Sequence, residues 1–260
     1  MEELKDGYRK FSSLSLVTKI LFLVLVIVLV IYFISASRKG GDFASYLEAA
    51  GKMLHGTNIY DPPYVHLRYS YSPFWAMVLT PLALLPLSVG VFIWLVINVF
   101  FLWRTIFLLR HYFEIKFADR KMDMILWFVV IVYMSRFIEL NFHHSQMTIF
   151  LLWCILEGLR LSDNRAEIGA GILVGLGSII KVMPIVMIPY FIYRRKFKAA
   201  ISSVFTILIA FFLPILVVGH SRFWELNKTW LQILRPDSSE FQIDAVWSFP
   251  QNLSALLYRV

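Results

Sequence analysis

Cysteine is almost absent from this chain of 260 residues. The one copy, Cys154, sits inside an apolar run. An intramolecular disulfide and a cysteine-based zinc site are therefore excluded. Charge is also scarce: 16% of residues are charged and 59% are hydrophobic. A soluble domain is nearer one quarter charged and one half apolar, so this composition belongs to a multi-span membrane protein. Also missing are GxSxG, a P-loop, HExxH and GxGxxG, so hydrolase, NTPase, zinc-protease and Rossmann chemistry lack support. No low-complexity segment or convincing internal repeat stands out. The formal charge of +8 does not indicate nucleic acid, because the basic residues gather in short loops between apolar runs. That is the positive-inside pattern of a membrane protein.

Long apolar runs are what the chain has in plenty. They predict an all-α polytopic bundle forming a single transmembrane domain over residues 1–260. Spans are expected at 17–36, 88–109, 122–140, 145–161 and 199–218, with a broken hairpin at 168–180 and 183–193. The first run could also be a signal peptide ending near Ser35-Ala36-Ser37, but the long preceding tail with its three acids favours an uncleaved anchor. Residues 74–85 reach only about 18 Å as a helix, too short to cross, and are expected at the outer interface. The hairpin competes with one straight span, which would place four cations of the 194–198 segment outside. Breaking at Lys181-Val182-Met183-Pro184 returns those cations to the cytoplasm, and Gly169, Gly171, Gly175 and Gly177 permit close packing. The polar segment 136–146 either lines a cavity or belongs to a tilted helix pair with Arg136 snorkelling. On this topology the N-terminus is cytoplasmic, and residues 37–87 and 219–260 form outer loops.

The first outer loop contains a stretch of helical periodicity. Phe43, Tyr46, Leu47, Ala50, Met53 and Leu54 make one apolar face, which predicts an amphipathic helix lying on the membrane surface. Asp42 stands where an N-cap belongs and Gly56 where the helix should stop. Asn58-Ile59-Tyr60-Asp61-Pro62-Pro63 then reads as a rigid extended turn.

The polar candidates that share the outer side are Asp42, Asp61, His55, His66, His143, His144, Gln146, Lys181 and the 247–254 stretch. Tyr46, Tyr60, Trp247, Gln251 and Asn252 are added as substrate contacts. A carboxylate opposite a buried cation and flanked by aromatics suits sugar transfer. The carboxylate takes a proton from an acceptor hydroxyl, the cation steadies a phosphate leaving group, and rings stack on sugar faces. Each residue also has a plainer role open to it. Asp42 can serve as a helix cap, Asp61 as a turn former and Lys181 as a snorkelling cation, and the outer tryptophans can be interfacial anchors. His143-His144 alone is too short a signal for a metal site.

Several motifs resemble the start of family 87 membrane glycosyltransferases. They are Gly41-Asp42-Phe43 with Tyr46, Asn58-Ile59-Tyr60-Asp61-Pro62, and Tyr71-Ser72-Pro73-Phe74 with Pro81-Leu82-Ala83-Leu84-Leu85-Pro86. Ser145-Gln146 falls where the family usually has Gly-Gln. The run Gly175-Leu176-Gly177-Ser178-Ile179-Ile180-Lys181-Val182-Met183-Pro184, with Pro189-Tyr190 and Arg194-Arg195, looks like its Gly-rich Lys-x-x-Pro signature. Gln251-Asn252-Leu253-Ser254 is similar to a later outer-loop motif, where the family more often has Asn-Gln-Ser.

The resemblance implies a GT-C-like helical bundle in the cell (cytoplasmic) membrane. It also implies sugar transfer from a polyprenyl phosphate carrier to a lipid or glycan acceptor on the outer face. Mannose would be a frequent sugar and Asp42 the general base. Such proteins usually continue through several more spans, so the chain is expected to be C-terminally truncated. The resulting expectation is an inverting glycosyltransferase with Asp42 as base. Lys181, and more weakly Arg222, would offset the phosphate charge. Its partners would be the polyprenyl-phosphate sugar, the acceptor and membrane lipids, with no nucleic acid. No cofactor and no metal ligand are assigned, and a divalent metal is left open. The alternatives are a lipid or sugar transporter or flippase, or a non-catalytic membrane assembly subunit.

Overall fold

The computed structural model describes residues 15–62, 68–112 and 120–234. It is an all-α polytopic membrane protein in which, among the described residues, four helices are long and apolar enough to cross a bilayer. These are Leu16–Lys39, Leu87–Arg110, Met124–His143 and Phe197–Val218. Helices are labelled in chain order: α1 (Leu16–Lys39), α2 (Gly41–Leu54), α3 (Pro73–Ala83), α4 (Leu87–Tyr112), α5 (Arg120–His143) and α6 (Thr148–Asp163). They continue as α7 (Glu167–Ile180), a 3₁₀ turn (Met183–Val186), α8 (Met187–Tyr193), α9 (Phe197–Phe212), α10 (Ile215–Val218) and α11 (His220–Ile233).

Helix α1 starts where the Ser15 hydroxyl accepts the Thr18 N–H at 3.2 Å. Its leucines, valines and isoleucines from Leu16 to Ile31 are exposed, and burial begins only at Phe33, Ala36 and Ser37. In water such a surface would be untenable, whereas in lipid it costs nothing and needs no protein partner. The last turns dock: Phe33 stacks on Phe142 of α5 at 5.5 Å between ring centroids. Helix α5 has the same lipid-facing character, with every side chain from Phe128 to Met134 exposed.

Helices α6, α7 and α9 pack face to face at the back of the bundle. The close approach depends on small residues, as in other membrane helix pairs. A Cβ on Gly171 would collide with the Ala199 carbonyl of α9 and come within 2.6 Å of the Ser202 Cβ. Helix α7 ends at Ile180, and Lys181 is extended (φ −142°, ψ 130°). Pro184 then turns back so that its ring lies against Gly177.

The two ends of segment 167–193 meet again. Lys196 Nζ donates to the Ser162 carbonyl at 2.9 Å and lies 3.9 Å from Glu167, while Arg194 lies 4.0 Å from Asp163. The chain therefore goes out along α7 and comes back along α8. The same end carries Glu157, 7% exposed, which accepts two hydrogen bonds from Arg104 of α4 at 3.1 and 3.2 Å and one from the Arg160 Nε at 2.9 Å. These bonds satisfy a buried carboxylate that would otherwise be costly.

The polar connections 40–62, 68–72 and 144–147 lie at the opposite end. Helix α2 buries Phe43, Ala44, Ser45, Tyr46, Leu47, Ala49, Ala50 and Met53, and exposes Leu54. It is held more deeply than a helix resting on a membrane surface, because Ala44, Ser45, Ala49 and Ala50 let neighbours close over a second side. Glu48 and Lys52 pair at 3.2 Å on what remains. The expected stop is in place, with the Gly56 N–H donating to the Met53 carbonyl at 3.2 Å and the Thr57 N–H to Lys52 at 2.9 Å.

Replacing Gly171 by leucine should force α7 and α9 apart at a cost of about 1–3 kcal/mol. The expected outcome is a lower unfolding temperature in detergent. An unchanged temperature would show that the two helices do not need this contact.

Candidate functional site

Asp42 is the second residue of α2, and its side chain makes no capping hydrogen bond to the helix. The expectation of a helix cap is thus corrected: Gly40 occupies the N-cap, and the carboxylate is left for tertiary contacts. The Asp42 backbone N–H, unsatisfied within a first turn, donates at 2.7 Å to the His144 carbonyl in the turn between α5 and α6. Gly41 makes this approach possible. Its φ is +56°, and a Cβ there would collide with the His144 carbonyl, whose carbon would lie 2.6 Å away.

The same turn brings Gln146 to the carboxylate. The Gln146 amide lies close enough to favour the Asp42 anion by hydrogen bonding, and the charges of His144 and Lys181 act on the same group. Ser145, at φ +50°, bends the turn, and the Trp94 Nε1 donates to its carbonyl at 3.1 Å. The Gln146 N–H closes it by donating to Asn141 at 2.9 Å. Asp42 and Gln146 are half-buried, while His144 and Lys181 are exposed, so the cluster is open on one side. Burial raises the Asp42 carboxyl above its ordinary value of 3.8, and the Gln146 hydrogen bond, His144 and Lys181 offset part of that rise.

A tyrosine wall flanks the carboxylate. The Tyr46 hydroxyl donates to the Tyr71 hydroxyl at 2.9 Å, and the rings meet edge to face at 4.7 Å. The Tyr60 hydroxyl fixes the Tyr71 carbonyl at 2.7 Å, and the Tyr69 hydroxyl fixes that of Ser72 at 2.7 Å. Lys181 Nζ stands 6.0 Å from the centre of the Tyr71 ring. Burial raises both Tyr46 and Tyr71, and the negative charge of Asp42 adds to the rise in each.

Of the residues expected at the site, Asp42, Tyr46, His144, Gln146 and Lys181 come together. Tyr60 stands behind them as a brace. His143 lies 3.9 Å from Glu139 on its own helix and touches His144 edge-on. Asp61 is exposed, and its backbone carbonyl accepts from Lys52 at 2.7 Å. Arg222 lies beside Gly56, beyond the far end of α2 and about 20 Å along the helix from Asp42. His66, Trp247, Gln251 and Asn252 lie outside the described residues. Tyr71 was not singled out as a site residue from sequence. The available signal was its place in the Tyr71-Ser72-Pro73-Phe74 motif, whose proline starts α3 and restrains Ser72, the residue next to Tyr71.

Among the described residues, no group of three or more His, Cys, Asp or Glu is placed to hold a metal. A cavity of about 280 Å³ lies between α1 and α4, lined by Ile34, Ser37, Arg38, Ser88, Val89 and Phe92, and includes none of the residues clustered at Asp42.

Fold and side-chain cluster together define a multi-pass membrane protein with a carboxylate, an amide and a cation gathered at one end of its helices. The chain matches Glycosyltransferase family 87 over residues 69–260, well over half its length, and it belongs to that family. Tyr71, Gln146 and Lys181 lie within the match, and Asp42 and Tyr46 precede it. It is also 23% identical over 184 residues to a polyprenol-phosphate-mannose-dependent alpha-(1-2)-phosphatidylinositol pentamannoside mannosyltransferase of Mycobacterium tuberculosis (strain CDC 1551 / Oshkosh). That alignment covers 68% of this chain and 42% of the relative, so the chain spans less than half the relative's length. No solved structure matches.

Replacing Gly41 by alanine adds both a disfavoured φ and a backbone collision. The expected cost is about 1–3 kcal/mol. A thermal unfolding curve for Gly41→Ala equal to that of the parent would remove the junction from its assigned place.

Proposed function

We propose that this protein is a membrane glycosyltransferase that moves a sugar from a polyprenyl phosphate to a lipid or glycan acceptor. Mannose is the sugar favoured by its similarity to the mycobacterial mannosyltransferase. The observation that carries the proposal is the half-buried Asp42 carboxylate, held by Gln146 with Lys181 and His144 close by. In the proposed reaction Asp42 takes the proton of the acceptor hydroxyl. The freed oxygen attacks the anomeric carbon, and the bond from that carbon to the phosphate oxygen breaks. The anomeric configuration inverts, and the polyprenyl phosphate leaves as an anion. A phosphate is a good leaving group, so a strong general acid is not needed, and Lys181 offsets the developing charge.

The raised Asp42 value suits this task. A carboxylate that binds a proton more firmly is the better base, provided it is still ionised at the working pH. The site is placed on the outer face of the cell membrane, with the N-terminus and the Arg194-Arg195-Lys196 turn on the cytoplasmic side, as the concentration of cations favours.

Three measurements test this. Asp42→Asn should lower transfer by about 10²–10⁴-fold in folded protein. Full activity in that variant ends the assignment of the base. Because protonated Asp42 cannot act as a base, the rate should fall as pH drops through its pKa. Removing the Gln146 hydrogen bond disfavours the anion, so in Gln146→Ala that fall should begin at a higher pH than in the parent. For topology, cysteines placed singly at positions 58 and 194 of a Cys154→Ser background should react from outside at 58 and not at 194 with an impermeant reagent. The reverse pattern inverts the orientation.

A further inference from the structure

Tyr71 differs from the other tyrosines of the wall. Tyr60 and Tyr69 spend their hydroxyl protons on backbone carbonyls, and Tyr46 spends its proton on Tyr71. Tyr71 accepts, and among the described residues its own proton has no acceptor. A hydroxyl that accepts a hydrogen bond becomes a better donor, because each bond in a chain polarises the next. The residue is also held firmly in place: Tyr60 pins its carbonyl, and the Tyr46 ring lies edge-on against its own.

The surroundings indicate what should accept the proton. Lys181 Nζ lies over the Tyr71 ring at 6.0 Å from its centre, the outer limit of a cation–π contact, so the ammonium is not in close contact with the ring face. An anionic oxygen lying between the ammonium and the phenol can touch both. Asp42 acts on Tyr71 through its charge, and among the described residues no hydrogen bond joins the two side chains.

We infer that the Tyr71 hydroxyl is a hydrogen-bond donor to the phosphate of the polyprenyl carrier, sharing that oxyanion with Lys181, and that Tyr46 positions it. This inference rests on the proposed phosphate site at Lys181. Tyr71 donates a hydrogen bond and keeps its proton throughout, since its burial and the negative charge of Asp42 both hold the phenol neutral. It contacts the leaving group directly, whereas Tyr46 acts only through Tyr71.

The test compares the binding of polyprenyl monophosphate and of the phosphate-free polyprenol to the full chain in lipid nanodiscs. Tyr71→Phe keeps the ring and its packing and removes the donor. It should weaken polyprenyl monophosphate by roughly tenfold, the usual scale for a hydrogen bond to a charged group, and leave polyprenol unchanged. Tyr46→Phe should show the same phosphate-selective loss to a smaller extent. Equal affinity for polyprenyl monophosphate in Tyr71→Phe and the parent overturns the inference, as does equal weakening of both ligands, which would be a packing effect. A larger loss in Tyr46→Phe than in Tyr71→Phe also overturns it, by making Tyr46 the contacting hydroxyl. Lys181→Met separates the two levels. If it loses phosphate selectivity and Tyr71→Phe does not, only the tyrosine assignment fails. If Lys181→Met keeps full selectivity, the phosphate site itself is misplaced and the inference falls with it.

Discussion

The hydrogen bond from the Asp42 backbone N–H to the His144 carbonyl, 2.7 Å long, joins two parts of the chain a hundred residues apart. One partner is an orphan donor in the first turn of α2, and the other is a carbonyl in the bend between α5 and α6. Neither is satisfied by its own helix, so each completes the other. The junction allows no side chain at position 41, where a Cβ would meet the His144 carbonyl. Two consecutive glycines with positive φ, Gly40 at +82° and Gly41 at +56°, turn the lipid-embedded α1 into the polar-end helix α2. Once that turn is made, the Asp42 carboxylate lies near Gln146, His144 and Lys181.

The two ends of the bundle use their polar groups differently. At the end with Arg104, Glu157, Arg160, Lys196 and Glu167, the charges are paired with one another or with carbonyls. Closed networks of this kind hold helices in register and leave no free valence for a ligand. At the other end Asp42, Lys181, His144 and Tyr71 are gathered without being mutually exhausted. Lys181 has no carboxylate within salt-bridge distance among the described residues, although its charge reaches Asp42. A partly satisfied cluster would be a liability in a core, but at an exposed end it keeps hydrogen-bonding capacity that the proposed substrate would complete.

Much of this architecture was legible in the sequence because lipid makes the rules simple. A run such as 17–36 has only one way to satisfy its backbone, and the α7 break is announced by a lysine and a proline inside an apolar stretch. The gathering of Asp42, Gln146 and Lys181 was legible only as a shared side of the membrane, together with family resemblance. Three placements were not legible. Asp42 looked like a cap because aspartate before a helical run usually is one, and only the positive φ of Gly40 and Gly41 shifts the helix start ahead of it. His143 looked equivalent to His144, yet one residue turns the ring by about 100° around α5, and Glu139 lies one helical turn away on the His143 side. Tyr71 was one tyrosine among five in residues 40–71, and nothing local separates a donor with a free proton from one already spent.

The choice of groups around Asp42 follows from a conflict within the proposed chemistry. The donor phosphate is an anion, and the base must itself be an anion beside it. Placing strong cations against both would ease their repulsion, but it would also pull the Asp42 pKa down and make it a poorer base. Burial acts in the opposite direction and dominates at Asp42, so the carboxyl stays raised despite Lys181 and His144. Neutral hydrogen-bond donors resolve the conflict. An amide at Gln146 favours the carboxylate anion without adding a formal charge, and in the inferred arrangement a phenol at Tyr71 would steady phosphate while leaving Asp42 basic. A single lysine, over an aromatic ring rather than paired with the carboxylate, would then supply the formal charge that the proposed departing phosphate requires.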